Sequence, residues 1–193
     1  METDTFYHYF NRGNNREDIF KEEENYRYFL ELLKKYIPSV ADIYSYCLLP
    51  NHFHLVIKTK EESQLPEAIR NRKQKLSQPF SNLFNAYAKA FNKKYERRGS
   101  LFQKHPKHIE IETSSYLQEV ILYVNNNSGH HNLADSLQYA HSSYHSLLST
   151  SKTLLAREHV WELFGSKEEL EACLEGKNRR IELKQSMLLE DED

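Results

Sequence analysis

Two histidines separated by one residue, His52-Phe53-His54, open the apolar run His-Phe-His-Leu-Val-Ile. Side chains alternate along a strand, so His52 and His54 project to one face and Phe53 and Leu55 to the other. Two imidazoles about 7 Å apart along the backbone can converge on one cation, a role imidazole fills more often than any other side chain. The pair lacks the glutamate and helical spacing of a zinc-protease motif, so a third ligand has to come from elsewhere. The chain has 10 histidines, and an isolated His-x-His is a weak signal by itself.

The second candidate group is the segment Tyr116-Leu-Gln-Glu-Val-Ile-Leu-Tyr123-Val-Asn-Asn-Asn127. On a helix, Tyr123 and Asn127 are four apart and share a face, so a phenol there could attack an electrophile while the amide oxygen assists a metal. With 13 tyrosines in the chain, a helical tyrosine is usually a packing residue. Tyr116, seven residues earlier on the same face, competes with Tyr123, and spacing does not choose between them.

The elements that must hold these groups follow from hydrophobic period and turn chemistry. Thr5–Phe10 is dense in aromatics and reads as a strand broken by Asn11-Arg12-Gly13-Asn14-Asn15. Glu22–Tyr36 carries a helical stripe of Tyr26, Phe29, Leu30 and Leu33, running to Ile37 and stopped by Pro38. Val40–Leu49 and His52–Lys58 are two strands joined at Pro50-Asn51. A short helix is expected over Leu65–Lys75. A longer one starts near Ser77-Gln78-Pro79, with Leu83, Tyr87, Phe91 and Tyr95 on one face and Gly99 at its end. Leu101-Phe102 and His108–Ile111 suggest a fourth strand, and Thr113-Ser114-Ser115 caps a helix through Asn126. The order strand-helix-strand-strand-helix-strand-helix predicts an α+β fold, a ferredoxin-like split βαβ sandwich with helices on one face of an antiparallel sheet. The segment from Gly129 to about Thr150 is polar and loop-like. Helices are expected at Leu154–Phe164 and Glu168–Met187, before the acidic tail Glu190-Asp191-Glu192-Asp193. A catalytic domain would then span 1–150 and a helical extension 151–193.

Net charge is −2, which hides a strong asymmetry. Lys58–Lys107 holds 13 Lys+Arg against 4 Asp+Glu, while the rest of the chain holds 13 against 24. Such a basic block can serve phosphate contacts while the acidic remainder keeps the protein soluble; a merely solvated helix face explains the charge equally well. No apolar run approaches the roughly 20 residues of a membrane span, and the first residues lack the features of a secretory signal. Cys47 and Cys173 alone make no disulfide framework, which fits a reducing cytoplasm.

Five stretches, in this order, resemble the REP-associated tyrosine transposases, in the insertion-sequence-200-like branch of the HUH single-strand transposases and relaxases. They are Tyr7-His8-Tyr9-Phe10-Asn11-Arg12-Gly13, Tyr46 to Lys58 with its Pro50-Asn51-His52-Phe53-His54, Phe91 to Gln103 with Arg98-Gly99-Ser100-Leu101-Phe102-Gln103, Tyr116 to Asn127, and Ser142-Ser143-Tyr144. The resemblance implies His52 and His54 as ligands of a divalent ion, Mg2+ or Mn2+, and Tyr123 rather than Tyr116 as nucleophile. The family's Tyr-Ile-x-x-Asn-Pro reads here Tyr123-Val124-Asn125-Asn126-Asn127-Ser128, which puts the polar third ligand on Asn127. Ser128 departs from the family's proline and is followed by Gly129-His130-His131, so His130 and His131 stand as alternatives for that ligand.

The resemblance further implies cleavage and rejoining of single-stranded or hairpin DNA through a 5′-phosphotyrosine link, in a chain that acts alone or as a homodimer. Tyrosine, with a pKa near 10, needs an electrophile already polarised, which a divalent ion on a non-bridging phosphate oxygen supplies. Phosphate contacts are expected from Lys93, Lys94, Arg97, Arg98 and Lys104, with Arg12 near the site. The Ser128 departure also suits a hairpin-binding protein of the same fold that no longer cuts. A third reading, a small-phosphoester hydrolase, would use water instead of Tyr123.

Overall fold

The computed structural model describes residues 1–130 and 139–176, with 129 and 130 described by their backbone alone. Four strands, β1 (Phe6–Arg12), β2 (Ala41–Leu49), β3 (His52–Thr59) and β4 (Lys107–Ile111), form one sheet in the order β2-β3-β1-β4. All three pairings are antiparallel, with β1 and β3 in the centre. The helices are α1 (Glu23–Tyr36), α2 (Glu67–Arg70), α3 (Gln78–Lys94), α4 (Ser114–His130), α5 (Tyr144–Leu148), α6 (Arg157–Phe164) and α7 (Lys167–Leu174). This is the expected split βαβ arrangement, in which β3 separates β1 from β2.

Strand parity decides what each helix covers. Tyr9 stacks on Phe80 and Phe84 of α3, and Phe53 packs against Phe29 of α1 and Phe84. Both helices of the split βαβ therefore share the face of the odd-numbered residues of β1 and β3. The opposite face is closed by α4, whose Tyr123 ring meets His8 of β1 and His54 of β3. The expectation of helices on one face holds for α1 and α3, and α4 adds a third layer. Hence β1 and β3 are buried on both sides and read as continuous apolar and aromatic runs rather than alternating ones. The same reasoning explains Val120-Ile121-Leu122-Tyr123-Val124, buried at every position. One side of α4 faces the sheet, and Gln118 donates to the Leu163 carbonyl of α6 at 2.6 Å on another. Leu155, Val160, Leu170 and Leu174 join the same core, and Ala156 N donates to the Ile43 carbonyl.

Local chemistry sets the boundaries. Glu22 caps α1 through a reciprocal bond with Asn25, and the Thr113 hydroxyl accepts from the Tyr116 amide at the start of α4. The helix expected over Leu65–Lys75 is a single turn, because Arg72 adopts φ +56° and the chain turns back. Likewise α3 ends at Lys94, five residues before Gly99, where Glu96 turns left-handed. Leu101-Phe102 is not part of β4. Phe102 bridges Gly13, and Gln103 and Asn14 amides donate to the Arg12 and Leu101 carbonyls. The Asn-Arg-Gly and Arg-Gly-Ser-Leu-Phe-Gln stretches thus clasp each other beside His52. Gly13 is required there, since a Cβ would lie 2.1 Å from the Glu17 carbonyl oxygen. The end of the helix expected to Met187, the acidic tail, and His131 lie outside the described residues.

Candidate functional site

The β3 register places His54 opposite Phe10 on one side and Cys47 on the other, with His52 opposite Arg12 and Leu49. His52 and His54 share a face, their ring centroids 5.0 Å apart at an interplanar angle of 88°. His54 is buried and His52 partly exposed. Each imidazole is held at Nδ1. His52 Nδ1 lies 2.6 Å from Asn51 Oδ1, and His54 Nδ1 lies 3.0 Å from His8 Nε2. An amide oxygen can only accept, so His52 donates from Nδ1, which leaves Nε2 as the nitrogen able to ligate a cation.

His8 is a residue that sequence reasoning passed over as ordinary strand. Fully buried beneath α4, its imidazole is pushed down to about 3 by loss of hydration, so the ring is neutral. The signal for it was parity. His8 has the register of Phe10, but recognising this required the β1–β3 pairing. Asn51, the other orienting residue, sat inside the quoted motif without a role.

Tyr123 lies over this pair. Its ring stands edge-on to His54 and to His8, 6.1 Å from each by centroids. It is 3% exposed. Tyr116, the competitor, is also buried on α4, two turns towards the helix start. Further along α4, Asn125 bonds Ser45 of β2, and a backbone bond from Ser128 reaches the Cys47 thiol. Burial pushes that thiol up to about 12. Cys47 is directly across from His54, so the last turns of α4 run along the histidine end of the sheet. Within them Asn127 is fully buried, and neither amide atom of its side chain has a hydrogen-bond partner among the described residues. The Ser128 hydroxyl is in the same condition. Such a buried amide is costly unless something else coordinates it.

Among the described residues, no three His, Cys, Asp or Glu side chains converge to hold a metal. An amide or hydroxyl oxygen is a further kind of donor that could stand beside the two imidazoles. Asn127 supplies a donor of that kind, and a mixed N/O set suits Mn2+ or Mg2+. His131 lies outside the described residues, as does the side chain of His130.

The basic residues divide into two groups. Lys94 is ion-paired with Glu22 and Glu24, which raise its pKa. Arg97 pairs with Glu17 at 2.6 Å and donates to the Gly99 and Ser100 carbonyls, so it fastens the loop after α3. Lys93, Arg98 and Lys104 are exposed. Lys104 helps line a cavity of about 510 Å³ between α3 and the 99–106 loop, together with Asn11, Phe84, Asn85 and Gln103. Arg12, partly exposed, sits between this loop and His52.

The fold is a split βαβ sheet with a histidine pair on β3 beneath the Tyr123-bearing helix α4. A family model described as "Transposase IS200 like" matches residues 2–127, ending on Asn127. The chain belongs to the IS200-like transposase family. Among solved structures it is similar to one described as "Structure of the REP associates tyrosine transposase bound to a REP hairpin". That match has a TM-score of 0.55 and 14% identity, covering 77% of this chain and 82% of the other. No curated protein matches it. Among the described residues no helix is long and apolar enough to cross a membrane.

Proposed function

We propose that this transposase is a metal-dependent single-strand DNA endonuclease and strand transferase acting on hairpin-containing DNA, with Tyr123 as nucleophile and His52, His54 and Asn127 as ligands of Mg2+ or Mn2+. The observation that carries this reading is the Tyr123 ring lying against the ring of His54, on two elements 69 residues apart within the matched family region. Bound at that set, a divalent ion would neutralise charge on a non-bridging oxygen of the scissile phosphate.

The Tyr123 phenolic oxygen then forms an ester with the 5′ phosphate as the bond to the 3′ oxygen breaks. The phenol's proton is lost, and the departing 3′ oxygen takes one up. One phosphodiester replaces another of similar energy, so a second strand's 3′ hydroxyl can reverse the step and release Tyr123. Arg12, Lys93, Arg98 and Lys104 are assigned to the DNA backbone. Lys94 and Arg97 instead serve mainly to hold α1, α3 and their loop together. The cavity beside Lys104, floored by Phe84, suits an unpaired base next to the hairpin. DNA enters from the side of His52 and Arg12, and attack requires α4 to lift its tyrosine clear of the sheet. Tyr123 lies against His54 of its own chain, so in this reading one protomer carries the whole site.

That burial of Tyr123 also favours a second reading, a hairpin-binding protein of the same fold that does not cut. Labelled single-strand hairpins incubated with the protein and Mn2+, then run on a denaturing gel, separate the two. A covalent species present in the native chain and absent in Tyr123→Phe is expected. Hairpin binding with no covalent species in either protein would establish the second reading.

A further inference from the structure

We propose that His8 is the positioning residue that selects the tautomer of His54, making its Nε2 a lone-pair donor to the cation. The proposal rests on the metal-site reading above. Its core is the bond between His8 Nε2 and His54 Nδ1, 3.0 Å long and buried from solvent, with the two rings stacked at 24°. Between two imidazoles a hydrogen bond needs one N–H and one lone pair, so its direction fixes both rings together. If His54 donates from Nδ1, its buried Nε2 keeps the lone pair that a cation requires and His8 carries its own proton on Nδ1. If His8 donates instead, His54 is protonated at Nε2 and cannot ligate.

Asn51 enforces the ligating form on His52, since its Oδ1 can only accept. A working pair needs the same form on His54, whose Nδ1 meets His8 Nε2. The sheet fixes this contact. His8 and His54 lie on adjacent strands on the same face as diagonal neighbours, two residues out of register, since His54 pairs with Phe10 and His8 with Val56. Burial on both sheet faces then prevents either ring from turning out to exchange partners.

The test uses the full-length protein labelled with 15N-histidine and His8→Leu and His8→Gln variants. Gln places an amide near the Nε2 position, and its oxygen can accept the bond. In metal-free native protein, long-range 1H–15N spectra should show His54 as the Nδ1–H tautomer. His8→Leu should shift it to a mixture or to Nε2–H, and His8→Gln should restore it. Mn2+ affinity, followed by the electron paramagnetic resonance of free Mn2+, should fall 10- to 100-fold in His8→Leu and recover in His8→Gln. An Nε2–H tautomer in the native protein, or an unchanged tautomer in folded His8→Leu, overturns the proposal. The tautomer is read without metal or DNA, so a native protein that binds no Mn2+ would count against the metal-site reading while leaving this measurement decisive. If His8→Leu does not fold, His8→Gln with His54 protonated at Nε2 overturns the proposal equally.

Discussion

Replacing Asn127 with leucine should make the metal-free protein more stable, an unusual sign for a substitution at a fully buried polar position. Asn127 is 0% exposed, and neither its Oδ1 nor its Nδ2 has a hydrogen-bond partner among the described residues. The folded state therefore bears the desolvation of an amide, about 1–3 kcal/mol, without recovering it. Leucine keeps the branched four-atom side-chain skeleton with bulkier methyl ends, has no polar atoms, and is a better helix former. In EDTA, Asn127→Leu should raise Tm by an amount on the order of 5 °C for a chain of this size.

Asn125 supplies the internal control, two residues earlier on the same helix and equally buried. Its Nδ2 donates to Ser45 Oγ at 2.9 Å and to the Ile121 carbonyl at 2.8 Å, and its Oδ1 accepts from Ser143 Oγ at 2.8 Å. Asn125→Leu breaks that network and leaves buried hydroxyls behind, so it should cost about 2–4 kcal/mol. Opposite signs at 125 and 127 cannot come from helix propensity, which favours leucine at both. With Mn2+ at about a hundred times its Kd, the native chain should gain about 2.7 kcal/mol, and Asn127→Leu should lose most of that gain. Differential scanning calorimetry with and without Mn2+ reads all of these. A fall in metal-free Tm for Asn127→Leu comparable to that of Asn125→Leu would refute the reasoning, because it would mean the amide is already satisfied.

The remaining predictions concern the sheet, the loop clasp and the charges. His8 is held neutral, with its pKa lowered to about 3 from 6.5. The unfolded chain therefore takes up this proton first, and stability present above pH 6.5 drains away as pH falls towards 3, at up to about 1.4 kcal/mol per pH unit. Urea unfolding in EDTA should show this acid slope flattened in His8→Gln. Gly13→Ala drives a Cβ to 2.1 Å from the Glu17 carbonyl oxygen and should lower the urea midpoint by about 1–3 kcal/mol equivalent; an unchanged midpoint would show that the clasp yields freely. Hairpin binding followed by fluorescence anisotropy should lose about 0.7–0.9 of its log–log salt slope for each of Arg98→Ala and Lys104→Ala. Lys94→Met, whose charge is shared with Glu22 and Glu24, should change that slope little.

Much of this arrangement could be read from the chain because it is written in local periodicity. The β3 alternation put His52 and His54 on one face, and four-residue spacing put Asn127 one turn beyond Tyr123. What could not be read depends on pairing between distant strands. His8 looked like one more residue in an aromatic strand until β1 was set against β3. The same applies to α4, whose apolar run at 120–124 gave no sign of which sheet face it covers. Charge was the least legible feature. Thirteen cations between 58 and 107 looked like a single surface, yet Lys94 and Arg97 turn to carboxylates on Glu22, Glu24 and Glu17, far earlier in sequence.

These features share one mechanical cause. A central strand pair covered on both faces cannot move its side chains independently, so the His8–His54 hydrogen bond is set by strand pairing rather than by side-chain search, while His52 is held by its chain neighbour Asn51. The clasp of residues 12–14 against 101–103 then closes the end of the sheet where His52 emerges, and Gly13 admits the tight return that makes the clasp possible. Rigidity in the histidines and their strands leaves α4 as the element whose displacement can separate the phenol from the imidazoles. Loosening the sheet, as Gly13→Ala would, should therefore weaken metal binding before it weakens hairpin binding, because three of the four proposed hairpin contacts, Lys93, Arg98 and Lys104, sit on α3 and its loop while the imidazole geometry depends on the closed strand ends.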